Sequence, residues 1–196
     1  MKKILVTGAN GLLGQKIIYG YKTNSQVKLI ATGRGPCRMN DTNGYVYEEM
    51  NISDKASVAA IIEKHLPDVI INSAAMTNVD ECETNKSGCD EANVKAVRIL
   101  ASICEANNIH LIQLSTDFIF DGKDGPYDEK AKGDPLSYYG WSKLKAEEIV
   151  KASKCKWTII RTVLVIGITE GMSRSNIVLW AKGALGKGQS INVVND

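Results

Sequence analysis

Apolar residues gather in short runs at 4–6, 27–31, 45–47, 69–71, 111–114 and 157–160, each about the length of a strand. Most are apolar on consecutive positions rather than alternate ones, which predicts strands buried on both faces, as in a parallel sheet. Between them, apolar residues recur at helical spacing over 12–22, 55–65, 90–107 and 137–152. This regular alternation predicts a doubly wound parallel α/β sheet. The punctuation agrees with it. Asp54 stands where an N-cap is needed, Pro67 closes the helix that follows it, and Asn107-Asn108 ends the long one. Residues 121–135 hold three glycines and two prolines among charged side chains and read as a long surface loop.

Beyond Gly167 the pattern is less regular: polar over 169–175, helical over 176–185 and strand-like over 190–194. The stop at Asn195-Asp196, directly after that last run, predicts a chain cut short. We therefore expect a doubly wound unit over 1–167 and the start of a second lobe over 168–196.

The first strand runs into Thr7-Gly8-Ala9-Asn10-Gly11-Leu12-Leu13-Gly14, a strand-to-helix turn with glycines at every third position. A helix start leaves its first N–H groups unpaired, and an anion placed there meets both those donors and the positive end of the helix dipole. Gly8 suits the tight turn, Gly11 a close approach of backbone to pyrophosphate, and Gly14 close packing of helix on strand. The second strand ends Ala31-Thr32-Gly33-Arg34, with glycine where enzymes that use NAD place an acid for the ribose hydroxyls. Arg34 can meet a 2′-phosphate instead, so NADPH is expected over NADH, with NADH as the alternative.

A second candidate site is Tyr139-Gly140-Trp141-Ser142-Lys143, where i to i+4 spacing puts the phenol and the ammonium on one helix face. An ammonium about 5 Å from a phenol favours the phenolate by roughly 3 kcal/mol at an effective dielectric of about 20. That predicts a tyrosine pKa lowered from about 10 to about 8. Upstream, the strand over 112–114 leads to Ser115-Thr116-Asp117, at the sheet edge where ligands of open α/β sheets sit.

With these motifs in order, together with Asn72-Ser73-Ala74-Ala75-Met76-Thr77-Asn78-Val79-Asp80, Ser115 to Gly122 and Arg161-Thr162, the chain resembles the extended short-chain dehydrogenase/reductases, nearest the dTDP-4-dehydrorhamnose reductase family. The resemblance covers nearly the whole chain. It implies a dinucleotide-binding Rossmann-type domain that reduces the C4 ketone of a nucleotide-linked 6-deoxy sugar, in dTDP-rhamnose biosynthesis. Thr116, Tyr139 and Lys143 would form the catalytic triad, and Thr116 and Asp117 would contact the sugar nucleotide. Gly8, Asn10, Gly11, Leu12, Leu13, Gly14, Ala74, Ala75 and Met76 would line the cofactor, Asn51 and Ile52 would lie near the adenine, and Tyr139 and Lys143 would reach the nicotinamide end. The chain departs from many members at Phe118, where they have tyrosine, and at Leu164, where they have tryptophan. The same fold also implies two rivals: a cofactor-binding regulator similar to the regulatory β subunit of methionine adenosyltransferase, and a nucleotide-sugar epimerase or dehydratase.

Charge narrows the partners. Lys and Arg total 24 against 22 for Asp and Glu, a net charge of +2 that makes no broad electrostatic case for nucleic acid or an anionic membrane. No run has transmembrane length, and only residues 4–6 follow Met1-Lys2-Lys3 before Thr7-Gly8, too few for a signal peptide. Five cysteines without paired close spacing fit reduced thiols, so the cytoplasm is the expected compartment. His65 and His110 read as structural residues, and no metal is expected. The resemblance also admits a homodimer of a longer protein.

Overall fold

A computed structural model of the chain describes residues 1–171 and 176–192. Six strands form one parallel sheet: β1 (Lys2–Thr7), β2 (Val27–Gly33), β3 (Tyr45–Glu49), β4 (Val69–Asn72), β5 (His110–Thr116) and β6 (Trp157–Thr162). Their order across the sheet is β3-β2-β1-β4-β5-β6. The direction of winding reverses at β1, so the C-terminal ends of β1 and β4 flank the crevice where doubly wound folds hold ligands. Register brings Thr7 beside Asn72, and Asn72 beside Gln113.

Successive strand residues point to opposite faces, so each buried run feeds two cores. Leu5, Ile30, Ile70 and Leu111 pack with Val58 and Ile62 of α2 (Lys55–His65), with Val97 and Leu100 of α5 (Ala96–Asn107), and with Ala146 and Val150 of α6 (Tyr138–Ala152). Val6, Leu29 and Ala31 pack on the other face with Ile18 of α1 (Leu12–Tyr21). Asp54 caps α2 by accepting the Ala56 N–H at 2.9 Å. Leu66, just ahead of Pro67, ends that helix in the left-handed region at φ 48°, and Asn108 ends α5 at φ 54°.

Two stretches differ from the helical periodicity. Residues expected to form one helix over 90–107 belong to a longer path: α3 (Val79–Thr84) and α4 (Lys86–Asp90) precede a π-helical turn (Glu91–Lys95) that leads into α5. The π turn arises where Asn93 is drawn inward to polar partners, widening the helix by one residue. Residues 190–192 form no strand, and the rest of the strand-like run, from 193 on, lies outside the described residues. The helix α7 (Ile177–Gly186) is present with Asn176 as its cap, yet none of its described side chains is buried. Val163, Leu164, Ile166 and Ile168 before it are also exposed. No described helix is long and apolar enough to cross a membrane.

Candidate active site

The turn after β1 has the shape its glycines call for. Gly8 lies at φ +64°, and a Cβ there would stand 2.8 Å from the Ala74 nitrogen of the loop after β4. A Cβ on Gly14 would come within 2.3 Å of the Gly8 carbonyl oxygen, so the first turn of α1 rests directly on the loop. Gly11, the N-cap of α1, is exposed and has only the Gly8 oxygen near its missing Cβ, at 3.2 Å. No side chain caps this helix and no acid lies in its first turn. Leu12 and Leu13 are half-buried behind it. The arrangement is an open helix N-terminus with backbone donors and room for close approach, which suits a pyrophosphate.

Beside this cradle, β2 ends at the buried Gly33. Arg34 is exposed and makes no ion pair with a described residue. Asn51 is exposed and Ile52 half-buried, both just past β3 on the same edge of the sheet. Asn10 turns its side chain away from α1 toward the loop after Arg34, donating to the Pro36 carbonyl at 3.0 Å and to the Tyr47 hydroxyl at 2.9 Å. That loop also carries Arg38, a second exposed cation the sequence reading missed; its only sequence signal was its place four residues after Arg34.

The other side of the crevice is built on β5. Thr116 ends that strand, with its hydroxyl donating to Asp117 at 2.9 Å and accepting the Phe118 N–H at 3.2 Å. Ser137 caps α6 by accepting the Gly140 N–H at 3.1 Å, which fixes the start of the helix and the direction of Tyr139 and Lys143. Both side chains are buried. The Phe118 ring packs edge-on to Tyr139, with centroids 5.8 Å apart.

The electrostatics correct one expectation. Burial pushes the Tyr139 phenol up to about 12, only partly opposed by its hydrogen bond with Thr116. Lys143 does not offset this, because its ammonium donates to the Leu114 carbonyl at 2.6 Å, and burial holds it down to about 8. Helical spacing put the two groups on one face, but the direction of a flexible four-carbon stem is set by the nearest strong acceptor.

Two further groups, invisible in the motifs, support the site. Asn93 in the π turn accepts the Met76 N–H at 2.8 Å, donates to the Met76 carbonyl at 2.9 Å and donates to the Ser142 hydroxyl at 3.0 Å. It joins the loop of Ala74, Ala75 and Met76 to the helix that carries Tyr139. Glu147, one turn after Lys143, is fully buried and accepts from Arg161 Nε at 2.9 Å and Nη2 at 2.8 Å. A buried polar chain also crosses the sheet: Thr7 donates to Asn72 at 2.6 Å, Asn72 to Gln113 at 2.8 Å, and Gln113 to the Leu114 carbonyl at 2.8 Å. The cradle strand and the Lys143 acceptor are thus parts of one rigid network. Outside the site, His65 bonds Glu48 and His110 bonds Thr158, each at 2.9 Å.

A six-stranded sheet in this order with a glycine cradle at its switch point is a Rossmann-type fold, here of the extended short-chain dehydrogenase/reductase class. Within that class, the chain belongs to the family described as the RmlD substrate binding domain, which matches residues 1–196. It is 33% identical over 168 residues to a dTDP-4-dehydrorhamnose reductase of Aggregatibacter actinomycetemcomitans, covering 85% of this chain and 53% of that protein. It is 32% identical over 178 residues to methionine adenosyltransferase 2 subunit beta of Bos taurus, covering 91% and 51%. Among solved structures, a dTDP-4-dehydrorhamnose reductase from Clostridium acetobutylicum superposes with a TM-score of 0.78 at 32% identity, over 95% of this chain and 60% of that one. One from Bacillus anthracis, solved in complex with NADP, gives a TM-score of 0.77 at 26% identity, over 96% and 61%. The chain spans about half the length of the curated relatives it matches.

Proposed function

We propose that this chain is the cofactor-binding and proton-transferring part of an NADPH-dependent reductase acting on a nucleotide-linked 4-keto-6-deoxy sugar. The observation that carries the reading is that Tyr139 lies beside Thr116 at the C-terminal end of β5 and Lys143 bonds Leu114 of the same strand, on a sheet whose switch point holds an open glycine cradle. The names of the reductase relatives, and the NADP in the Bacillus anthracis structure, support it. Residues 1–167 form the cofactor unit in this reading, and residues 168–196 begin the lobe that holds the sugar nucleotide. The free thiols of all five cysteines favour the cytoplasm.

Gly8, Gly11 and Gly14, with the amides of Leu12 and Leu13, cradle the pyrophosphate, while Arg34 meets the 2′-phosphate and Asn51 and Ile52 border the adenine. Ala74, Ala75 and Met76 line the middle of the cofactor. A reduced nicotinamide bound here supplies hydride. Tyr139, kept protonated by its burial, donates its phenolic proton to the ketone oxygen as charge develops there. Thr116 orients that oxygen with its hydroxyl, and Asp117 contacts the sugar nucleotide. Lys143, whose ammonium is held by the Leu114 carbonyl, binds the nicotinamide ribose.

The test is NADPH titration and turnover with a dTDP-linked 4-keto-6-deoxy sugar, comparing the wild type with Tyr139→Phe in any form of the protein that turns over. Turnover falling by about 10² with NADPH affinity unchanged is expected for a lost general acid. Equal turnover in both would remove Tyr139 from the chemistry. Saturable NADPH binding with no turnover in any longer form would favour a regulator like the methionine adenosyltransferase subunit.

A further inference from the structure

We infer that Asn10 is a positioning residue for cofactor selectivity: it fixes the loop that carries Arg34 and Arg38 beside the cradle, so that a phosphorylated ribose is favoured over an unphosphorylated one. The inference rests on the dinucleotide reading above. Asn10 stands inside the glycine turn, yet its side chain forms no bond with the start of α1. Its two amide hydrogens go to the Pro36 carbonyl at 3.0 Å and the Tyr47 hydroxyl at 2.9 Å, and its oxygen accepts the Arg38 N–H at 2.9 Å. Tyr47 extends the clamp by donating to the Gly35 carbonyl at 2.7 Å. Residues 35, 36 and 38 are therefore held through their backbones by one side chain of the cradle and one of β3.

The loop has no regular secondary structure, and Gly35 sits at φ +69°. Its far end is held separately, by the buried Met39 and by the Asn40 N–H, which donates to Glu170, so the Asn10 and Tyr47 bonds fix the half nearest the cradle. Arg34 and Arg38 are both exposed, and neither guanidinium is paired with a described acid. Two exposed cations on a loop pinned to the phosphate cradle suit a second phosphate placed near the first. Ordering the loop before binding removes the entropy that a free loop would lose on capture.

A second contact of the same pair works in the same direction. A Cβ on Gly33 would lie 3.0 Å from the Tyr47 hydroxyl and 3.3 Å from the Asn10 amide nitrogen. The same pair that clamps the loop thus fills the space an acidic side chain would need at the end of β2, where a carboxylate grips unphosphorylated ribose.

The experiment titrates NADPH and NADH into the wild type, Asn10→Ala, Tyr47→Phe and Arg38→Ala. Hydrogen exchange of the amides over 35–38 is followed without cofactor, and thermal unfolding serves as the folding control. Tyr47→Phe removes the bridge to Gly35 without altering the glycine turn, so it keeps the test open if Asn10→Ala folds poorly. Asn10→Ala is expected to weaken NADPH about tenfold, the scale of one or two lost hydrogen bonds, with NADH changed far less and exchange over 35–38 faster. Equal weakening of both cofactors, or an NADPH-to-NADH ratio unchanged in all three variants, overturns the proposal while leaving the dinucleotide reading intact. Failure of the wild type to bind either dinucleotide overturns the reading on which it rests.

Discussion

The Lys143 ammonium donates to the backbone carbonyl of Leu114 at 2.6 Å, two residues before Thr116 on the same strand. That carbonyl also accepts from Gln113, so the lysine ends a buried polar chain that begins at Thr7 beside the cradle. The cation is therefore part of the sheet's own framework before any ligand arrives.

Burial makes this cation a stability cost with a definite pH window. Lys143 is held down to about 8 from an ordinary 10.5, so between those values the unfolded chain holds the extra proton. Stability from this group then rises with pH through the window, and below about pH 8 the full cost of a buried charge is present. Lys143→Met should raise the thermal midpoint at pH 7 by a few degrees, on the order of 2 kcal/mol, because Leu114 keeps Gln113 as a donor. The gain should shrink toward pH 10.5 and NADPH should bind more weakly; calorimetric melts across that range check it, and a pH-independent gap would contradict it.

Glu147 titrates in the opposite sense. Burial alone would raise its pKa, but the hydrogen bonds from Arg161 and Lys151 help to outweigh that and hold it at about 2. The carboxylate contributes stability that is complete above pH 4.5 and is lost as pH falls through about 2. Glu147→Gln leaves Arg161 without its charge partner and should cost about 3 kcal/mol at pH 7, the low end for a broken buried pair because Arg161 retains some solvent. Urea unfolding at pH 7 and pH 3 should show the difference between the two proteins narrowing at the lower pH.

Gly33→Asp, the change that would supply the acid found in NAD enzymes, should not convert the preference here. Its Cβ would press on the Tyr47 hydroxyl and the Asn10 amide, both held by other bonds. NADPH affinity should fall about tenfold or more with no gain for NADH, as the displaced clamp loses its hydrogen bonds. Dissociation constants for both cofactors decide it, and improved NADH binding would show that the two side chains yield.

What the sequence determined by itself rests on short-range regularities. Consecutive apolar runs fixed the strands, Asp54 and Asn108 marked helix ends, and the glycines of the cradle announced a turn because their backbone geometry depends on neighbours only a few residues away. Four-residue spacing placed Tyr139 and Lys143 on one face of α6, and strand position placed Thr116 at the ligand edge. Only the tertiary structure decided where those groups point and what charge they prefer. The Leu114 carbonyl that captures Lys143 is 29 residues away in sequence, and Asn10 meets Arg38 across 28. The π turn exists because Asn93 finds Met76 and Ser142, and the raised pKa of Tyr139 exists because the surrounding packing excludes water. Hydrogen-bond partners and desolvation depend on which distant segments the fold brings together, and no local spacing records that.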